Sequence, residues 1–453
     1  MSPAGSSWPD PISAESINDF MDRFHDVERE LKLFASEANG ELWWDSVRFE
    51  VCQFLYSRLT GVSHPSAQVA PKRGHPLGQL RRWGKRKALF ANALVQHRSL
   101  LVLRAARNRA GRELQDDVLD PIIEALDMAR VIETMPYRYH LPDVDPWRTP
   151  SKLPPLARTI AALIQYFGME PSNEPPLDAL IRRVRAEFEA QVEGYDALFA
   201  RMKPKAVLIV QNGMAKALFH SAKSAGIRTI EAQHGLIAHG HPAYSYARDV
   251  DYSGQSGFPS LFLTLSAYWQ GRGFYPALRR EVVGNDHFGA GIGPLRNPIG
   301  AIMIISANIY HTRLLALTRE ISRQLPNRRF IYKLHPNQGA DERLIRAAVA
   351  DRPNVEIGAA LTPAPRYMSD VSHVVAVQST VVYEALQHRR RVCILPWHNY
   401  QIHEDVFDLP GVSVPASAQQ LGYLLEESGP ITGRQFFDPF DASRARRLIC
   451  GLT

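Results

Sequence analysis

Residues 206–232 constrain the fold more than any other stretch. They read as strand Ala206–Val210, turn Gln211-Asn212-Gly213, helix Met214–Ser224, Gly226 and strand Arg228–Ala232. A short apolar run, an apolar pattern of helical period closed by glycine, and a second apolar run make a strand–helix–strand unit. Strands joined by a crossover helix pair in parallel, and a parallel sheet is covered by helices on both faces. Leu100–Leu103, Val131–Thr134, Leu261–Leu265 and Glu281–Val283 complete a first sheet. After a Gly/Pro-rich linker candidate, Gly289–Gly300, the alternation restarts. It runs through strand Ala301–Ser306, helix Leu314–Gln324, strand Phe330–Leu334, helix Asp341–Val349, strands Val355–Ile357 and His373–Val377, helix Val381–Gln387 and strand Val392–Leu395. The tail from Arg434 to Leu452 ends in a helix. The expected fold class is α/β, with two Rossmann-like parallel-sheet domains.

The first ~95 residues read differently. Ile17, Phe20, Phe24, Val27 and Leu31 keep helical spacing, and Trp43-Trp44 through Leu59 repeats it. A Pro/Gly-bearing break, Gly61–Gly78, and a basic run, Arg81–Lys87 with Trp83, follow. The expected domains are therefore a helical accessory region over 1–95, an N-terminal Rossmann-like domain over 96–290 and a C-terminal one over 291–453.

The 453 residues carry a net charge of +7, which favours anionic partners. Cys52, Cys393 and Cys450 are far apart and form no CxxC pair, so neither a zinc finger nor a disulfide framework is expected. The N-terminus shows no signal-peptide pattern, and no apolar run approaches the ~20 residues of a spanning helix. A cytoplasmic protein is expected, peripheral to the inner membrane if Arg81–Lys87 rests on anionic lipid. No RNP, helix-turn-helix or zinc-finger signature supports nucleic-acid binding, and no Walker A, GxGxxG or GxSxG pattern is present.

Three constellations stand at strand ends, where open α/β sheets bind ligands. Glu231-Ala-Gln233-His234-Gly235 ends one strand. An imidazole there takes a proton near neutral pH, and a neighbouring carboxylate orients it or raises its basicity. His239 and His241 follow, but without a Cys or a helical H-x-x-x-H, so no metal is expected. Lys333-Leu334-His335-Pro336 ends a second strand and offers two donors to phosphate oxygens. Gln378-Ser379-Thr380 precedes a helix, where hydroxyls and backbone N–H groups receive anions, and Glu384 lies one turn inside to accept a ribose hydroxyl. Each has a plainer explanation: loop hydrogen bonding, a solvated strand end, or simple N-capping.

In this order the motifs resemble GT-B-type transferases of bacterial surface polysaccharide synthesis, in particular CDP-glycerol glycerophosphotransferases, polysialyltransferases and capsule Kdo transferases. The resemblance covers about residues 200–400. Gln233-His234-Gly235 resembles the His-Gly element of the first group, which implies His234 as the base. His335-Pro336 resembles the His-Pro element, and Ser379-Thr380 the Ser/Thr element, both implying contact with donor phosphate. Ala376–Leu386 is similar to the nucleotide-binding strand–helix, which implies Glu384 on the ribose. Gln233 stands where the glycerophosphotransferases tend to have Trp, Lys333 stands near His-Pro where they tend to have Arg, and the acidic-acidic-Gly element of the polysialyltransferases is missing.

The expected activity is glycosyl transfer from a nucleotide-sugar donor to a saccharide or lipid-linked acceptor. His234 or Glu231 would be the base. Lys333, His335, Ser379, Thr380 and Glu384 would hold the donor, with Gln233, Gly235, His239 and His241 on the acceptor side or auxiliary. No cofactor beyond the donor substrate is expected, and the resemblance implies metal-independent chemistry. Polyol-phosphate transfer, sugar-nucleotide 2-epimerisation and a non-catalytic anion- or membrane-binding module are the alternatives.

Overall fold

The computed structural model describes residues 8, 16–35, 37–38, 41–61, 100–104, 107–109, 113–126, 129–133, 148–210, 213, 215–289, 300–428, 431 and 433–451. The basic run Arg81–Lys87, the turn residues Gln211 and Asn212, and most of the expected linker lie outside these. The chain forms two compact units. One contains Asn18–Arg107, Gln115–Val283 and Asp441–Thr453. The other contains Met1–Ile17, Asn108–Leu114 and Gly284–Phe440.

The first unit is built on six parallel strands: β1 (Leu100–Arg104), β2 (Ala129–Glu133), β3 (Ala206–Ile209), β4 (Arg228–Ala232), β5 (Leu261–Thr264) and β6 (Arg279–Val282). Their order is β6-β5-β4-β3-β1-β2, so the winding reverses between β1 and β3. Ile209 stands opposite Glu231, and Glu231 opposite Phe262. The central strands β3 and β5 are buried at every residue, which is why they read as unbroken apolar runs rather than alternating ones. The helix Lys216–Ser224 returns the chain from β3 to β4. Its Ala217, Leu218, Phe219 and Ala222 meet Leu101, Leu103, Val207 and Ile209 of the sheet and Tyr195, Leu198 and Phe199 of the 29-residue helix Glu174–Met202. At roughly 1.5–3 kcal/mol per large apolar side chain, this layer outweighs any local propensity.

The N-terminal helices α1 (Ile17–Glu30) and α2 (Arg48–Thr60) share this unit with the sheet. Glu28 and Arg48 form a two-pronged ion pair, at 2.7 and 3.1 Å, with both side chains buried. Trp44 Nε1 also donates to Glu28. Arg48 donates onward to the carbonyls of Pro242 and Ser245, fastening the helices to the segment after β4. A second buried set does the same: Lys216 pairs with Asp45 at 3.1 Å, and Tyr246 donates to Asp45. The last helix, Ala442–Cys450, also belongs to this unit. Arg446 donates to the Ala125 carbonyl, Arg228 to that of Ile449, and Arg444 pairs with Glu281.

The second unit carries β7 (Ala301–Ile305), β8 (Phe330–Lys333), β9 (Val355–Gly358), β10 (Val371–Ala376), β11 (Arg391–Ile394) and the short β12 (Val412–Ser413). All pair in parallel, in the order β9-β8-β7-β10-β11-β12. Counted from its own first strand, that is the 3-2-1-4-5-6 order of a dinucleotide-binding sheet, with the reversal between β7 and β10. Ile302, Ile304, Phe330, Tyr332 and Val375 pack against Leu314, Leu317 and Ile321 of the helix His311–Gln324. Both expected Rossmann-like sheets are present.

Candidate active site

In the first unit, the carboxyl end of β4 brings together a carboxylate, two phenols and an imidazole. Glu231 is fully buried. A buried carboxylate needs hydrogen-bond donors, and Glu231 has two: Tyr244 at 2.8 Å and Tyr275 at 2.6 Å, one on each oxygen. The Tyr244 oxygen also lies 3.2 Å from His234 Nδ1. A phenol has one proton, and Tyr244 gives it to Glu231, so the contact with His234 is made by Nδ1–H donating to the Tyr244 oxygen. That fixes the tautomer and puts the imidazole lone pair on Nε2. His234 is half-buried, whereas Glu231 is enclosed. The geometry thus leaves the partly accessible lone pair on His234 and encloses Glu231 behind Tyr244.

The surrounding residues hold this relay in shape. Gln233 is buried, accepts from the Leu265 amide at 2.9 Å and donates to the Gly235 carbonyl, which closes the turn that carries His234. Gly273 lies where a Cβ would stand 2.6 Å from the Tyr244 carbonyl, so the chain passes Tyr244 only without a side chain there. His241 stacks edge-on against His234 with ring centroids 5.6 Å apart, and burial pushes its pKa down to about 4. His239 engages Asp22 of α1 instead.

In the second unit, the expected donor residues lie at the carboxyl ends of β8 and β10. Lys333 is buried, and its ammonium donates to the carbonyls of Leu334 and Ala360. Its stem passes over Gly358, where a Cβ would come 3.1 Å from Lys333 Cδ. Here Lys333 clamps two loops together and does not present its charge at the surface. His335 is half-buried, with its amide on Gln338 Oε1. Ser379 Oγ accepts from the amide of Val381, the first residue of the helix Val381–Gln387, while Thr380 holds the N-cap position without a side-chain capping bond. Gln378, Ser379 and Thr380 are all half-buried, and Glu384 is buried one turn in.

This unit repeats the carboxylate–phenol–imidazole arrangement. Tyr383 donates to Asp405 at 3.0 Å, His403 Nδ1 lies 3.3 Å from the Tyr383 oxygen, and His403 Nε2 accepts the Ser379 amide at 3.2 Å. The relay therefore ends on backbone and holds the turn that carries Ser379. At the winding reversal, Ser306, His311 and Tyr332 form a further polar cluster, with Tyr332 Oη 3.0 Å from His311 Nδ1 and 3.1 Å from Ser306 Oγ. Sequence reading missed Tyr244, Tyr275, Tyr383, His403 and Asp405. A tyrosine at a fixed offset from a strand end carries no signal of its own.

No family model matches the chain, and no curated protein matches it. Solved structures do resemble it. The Methanocaldococcus jannaschii UDP-GlcNAc 2-epimerase in complex with UDP-GlcNAc and UDP is 12% identical over 78% of this chain and 99% of its own, with a TM-score of 0.45. The Acinetobacter baumannii MurG is 12% identical over 78% and 99%, at 0.43. The glycotransferase of kitacinnamycin is 15% identical over 73% and 90%, at 0.41. Among the described residues, no helix is long and apolar enough to cross a membrane.

Proposed function

We propose that this chain is a glycosyltransferase that moves a sugar from a nucleotide-sugar donor to a hydroxyl of a saccharide or lipid-linked acceptor in bacterial surface polysaccharide synthesis. The observation that carries this reading is the Glu231–Tyr244–His234 relay at the carboxyl end of a parallel strand. A tautomer-fixed imidazole anchored on a buried carboxylate is what general-base removal of a hydroxyl proton requires. The acceptor O–H proton goes to His234 Nε2, the acceptor oxygen bonds to the sugar carbon, and the sugar–phosphate bond breaks with its electron pair leaving on the nucleotide. His335, Ser379 and Thr380, at the strand ends of the second unit, receive the donor phosphates, and Glu384 serves the ribose. Lys333 positions that edge through its two carbonyl contacts.

The test is a thermal-shift screen against CMP, CDP, UDP, GDP and their sugar conjugates, followed by product analysis with the nucleotide that binds. A shift with one nucleotide, and release of that nucleotide dependent on a saccharide acceptor, supports the reading. Isomerised donor without acceptor would replace it with 2-epimerisation, and transfer of a phosphate-linked unit with polyol-phosphate transfer. No shift with any nucleotide at millimolar concentration contradicts it.

A further inference from the structure

A second polar cluster lies on the same loop and takes no part in the relay. Asp22 and His25 stand three residues apart on α1, so both lie on one helix face. His239, 217 residues after Asp22, meets them from the segment after β4, with Nε2 2.9 Å from Asp22 Oδ1. The rings of His25 and His239 meet edge-on at 5.6 Å. One carboxylate oxygen and one nitrogen from each imidazole all lie within 4.8 Å of one another. His25 Nε2 is 3.1 Å from the Ser245 carbonyl. A carbonyl only accepts, so Nε2 carries the proton and Nδ1 carries the lone pair. Anchoring the far nitrogen on a backbone carbonyl is the habit of metal-ligating histidines.

We propose that Asp22, His25 and His239 bind a divalent first-row transition-metal ion of the zinc type and so clip α1 to the loop that carries His234. Two imidazoles and one carboxylate suit zinc, cobalt or nickel, and are too nitrogen-rich for magnesium or calcium. Asp22 and His239 are 68% and 38% exposed at the side chain, which leaves an entry path and room for coordinated water. The nearby cations are already paired, Arg48 with Glu28, and Arg29 with Asp26 and Asp249. The ion is a staple, separate from the proton-transfer chemistry. Its ligands come from two segments distant in sequence, which is why no spacing motif marks it.

The test uses the full chain without a histidine tag, stripped with EDTA. It is titrated with Zn²⁺ by calorimetry and with Co²⁺ by visible absorbance. The expected result is one saturable equivalent, Co²⁺ ligand-field bands and a raised Tm. Asp22→Asn and His239→Gln, at exposed positions, should each weaken Zn²⁺ binding at least ~10-fold, the lower bound set by loss of mere outer-shell partners. Their far-UV circular dichroism should stay that of the wild type. Absence of a saturable equivalent in the wild type, or unchanged affinity in both variants, overturns the proposal.

Discussion

Tyr244 stands between Glu231 and His234, 2.8 Å from the first and 3.2 Å from the second, with one proton to give and one lone pair to receive. Tyr383 stands in the same way between Asp405 and His403. The two relays differ at their far ends. His403 is enclosed and takes up the Ser379 amide, whereas His234 is half-buried. The His403 arrangement holds a turn, and the His234 arrangement is the one proposed to set up a base.

Tyr244→Phe removes the central link and leaves His234 without its tautomer anchor. We expect kcat to fall about 5–10-fold, the worth of one ordinary hydrogen bond of about 1 kcal/mol or slightly more, with donor affinity unchanged. Glu231 also loses one of its two donors, so stability should drop by about 1–3 kcal/mol in urea denaturation. A variant with wild-type kcat would show that His234 does not depend on Tyr244.

Glu28→Ala leaves Arg48 charged and buried. We expect a loss of about 3–5 kcal/mol, far above the ~1 kcal/mol of an exposed pair. Because Arg48 also binds the carbonyls of Pro242 and Ser245, the His234 loop should loosen too, seen as faster amide exchange over residues 237–247. Glu28→Ala combined with Arg48→Met should recover part of the loss, since no lone charge then remains.

Burial raises the Asp405 carboxyl to about 7. Between the ordinary carboxylate range and about pH 7, the folded chain therefore keeps a proton that the unfolded chain has lost. The associated stability is complete below pH ~4 and is lost as pH rises through about 7. Asp405→Asn should flatten the fall in the urea midpoint between about pH 5 and pH 8. His373, His388 and His398, each pushed down by burial to about 4, act on the acid side. Their contribution is present above the ordinary imidazole range and lost as pH falls through about 4.

Much of the fold was legible, for a physical reason. Strands such as Ala301–Ile305 and Phe330–Lys333 are buried on both faces, and so stand out as apolar runs between helical patterns. The short 3₁₀ segment Tyr400–Val406, which carries His403 and Asp405, has no period to detect. Of the candidate site, the sequence shows which residues follow the strands but not what their side chains touch. Glu231, Lys333 and His239 were visible as ionisable groups near strand ends. Their partners, Tyr244 with Tyr275, two carbonyls, and Asp22, come from elsewhere in the chain, and only the fold brings them close.

Lys333→Met keeps the stem that packs over Gly358 and removes the two donations to carbonyls. We expect a stability loss of about 1–3 kcal/mol from the carbonyls left unsatisfied. Affinity for the nucleotide that shifts the melting temperature should change little, whereas His335→Ala should weaken it. The reverse pattern would make Lys333 a direct donor ligand.

The most direct measurement is the rate and donor affinity of His234→Ala with the nucleotide donor that the screen identifies. As the base, His234 should account for a loss on the order of 10²–10⁴-fold in kcat with donor affinity nearly unchanged. An unaltered kcat, or a loss confined to donor binding, would contradict the assignment of His234 as the proton acceptor.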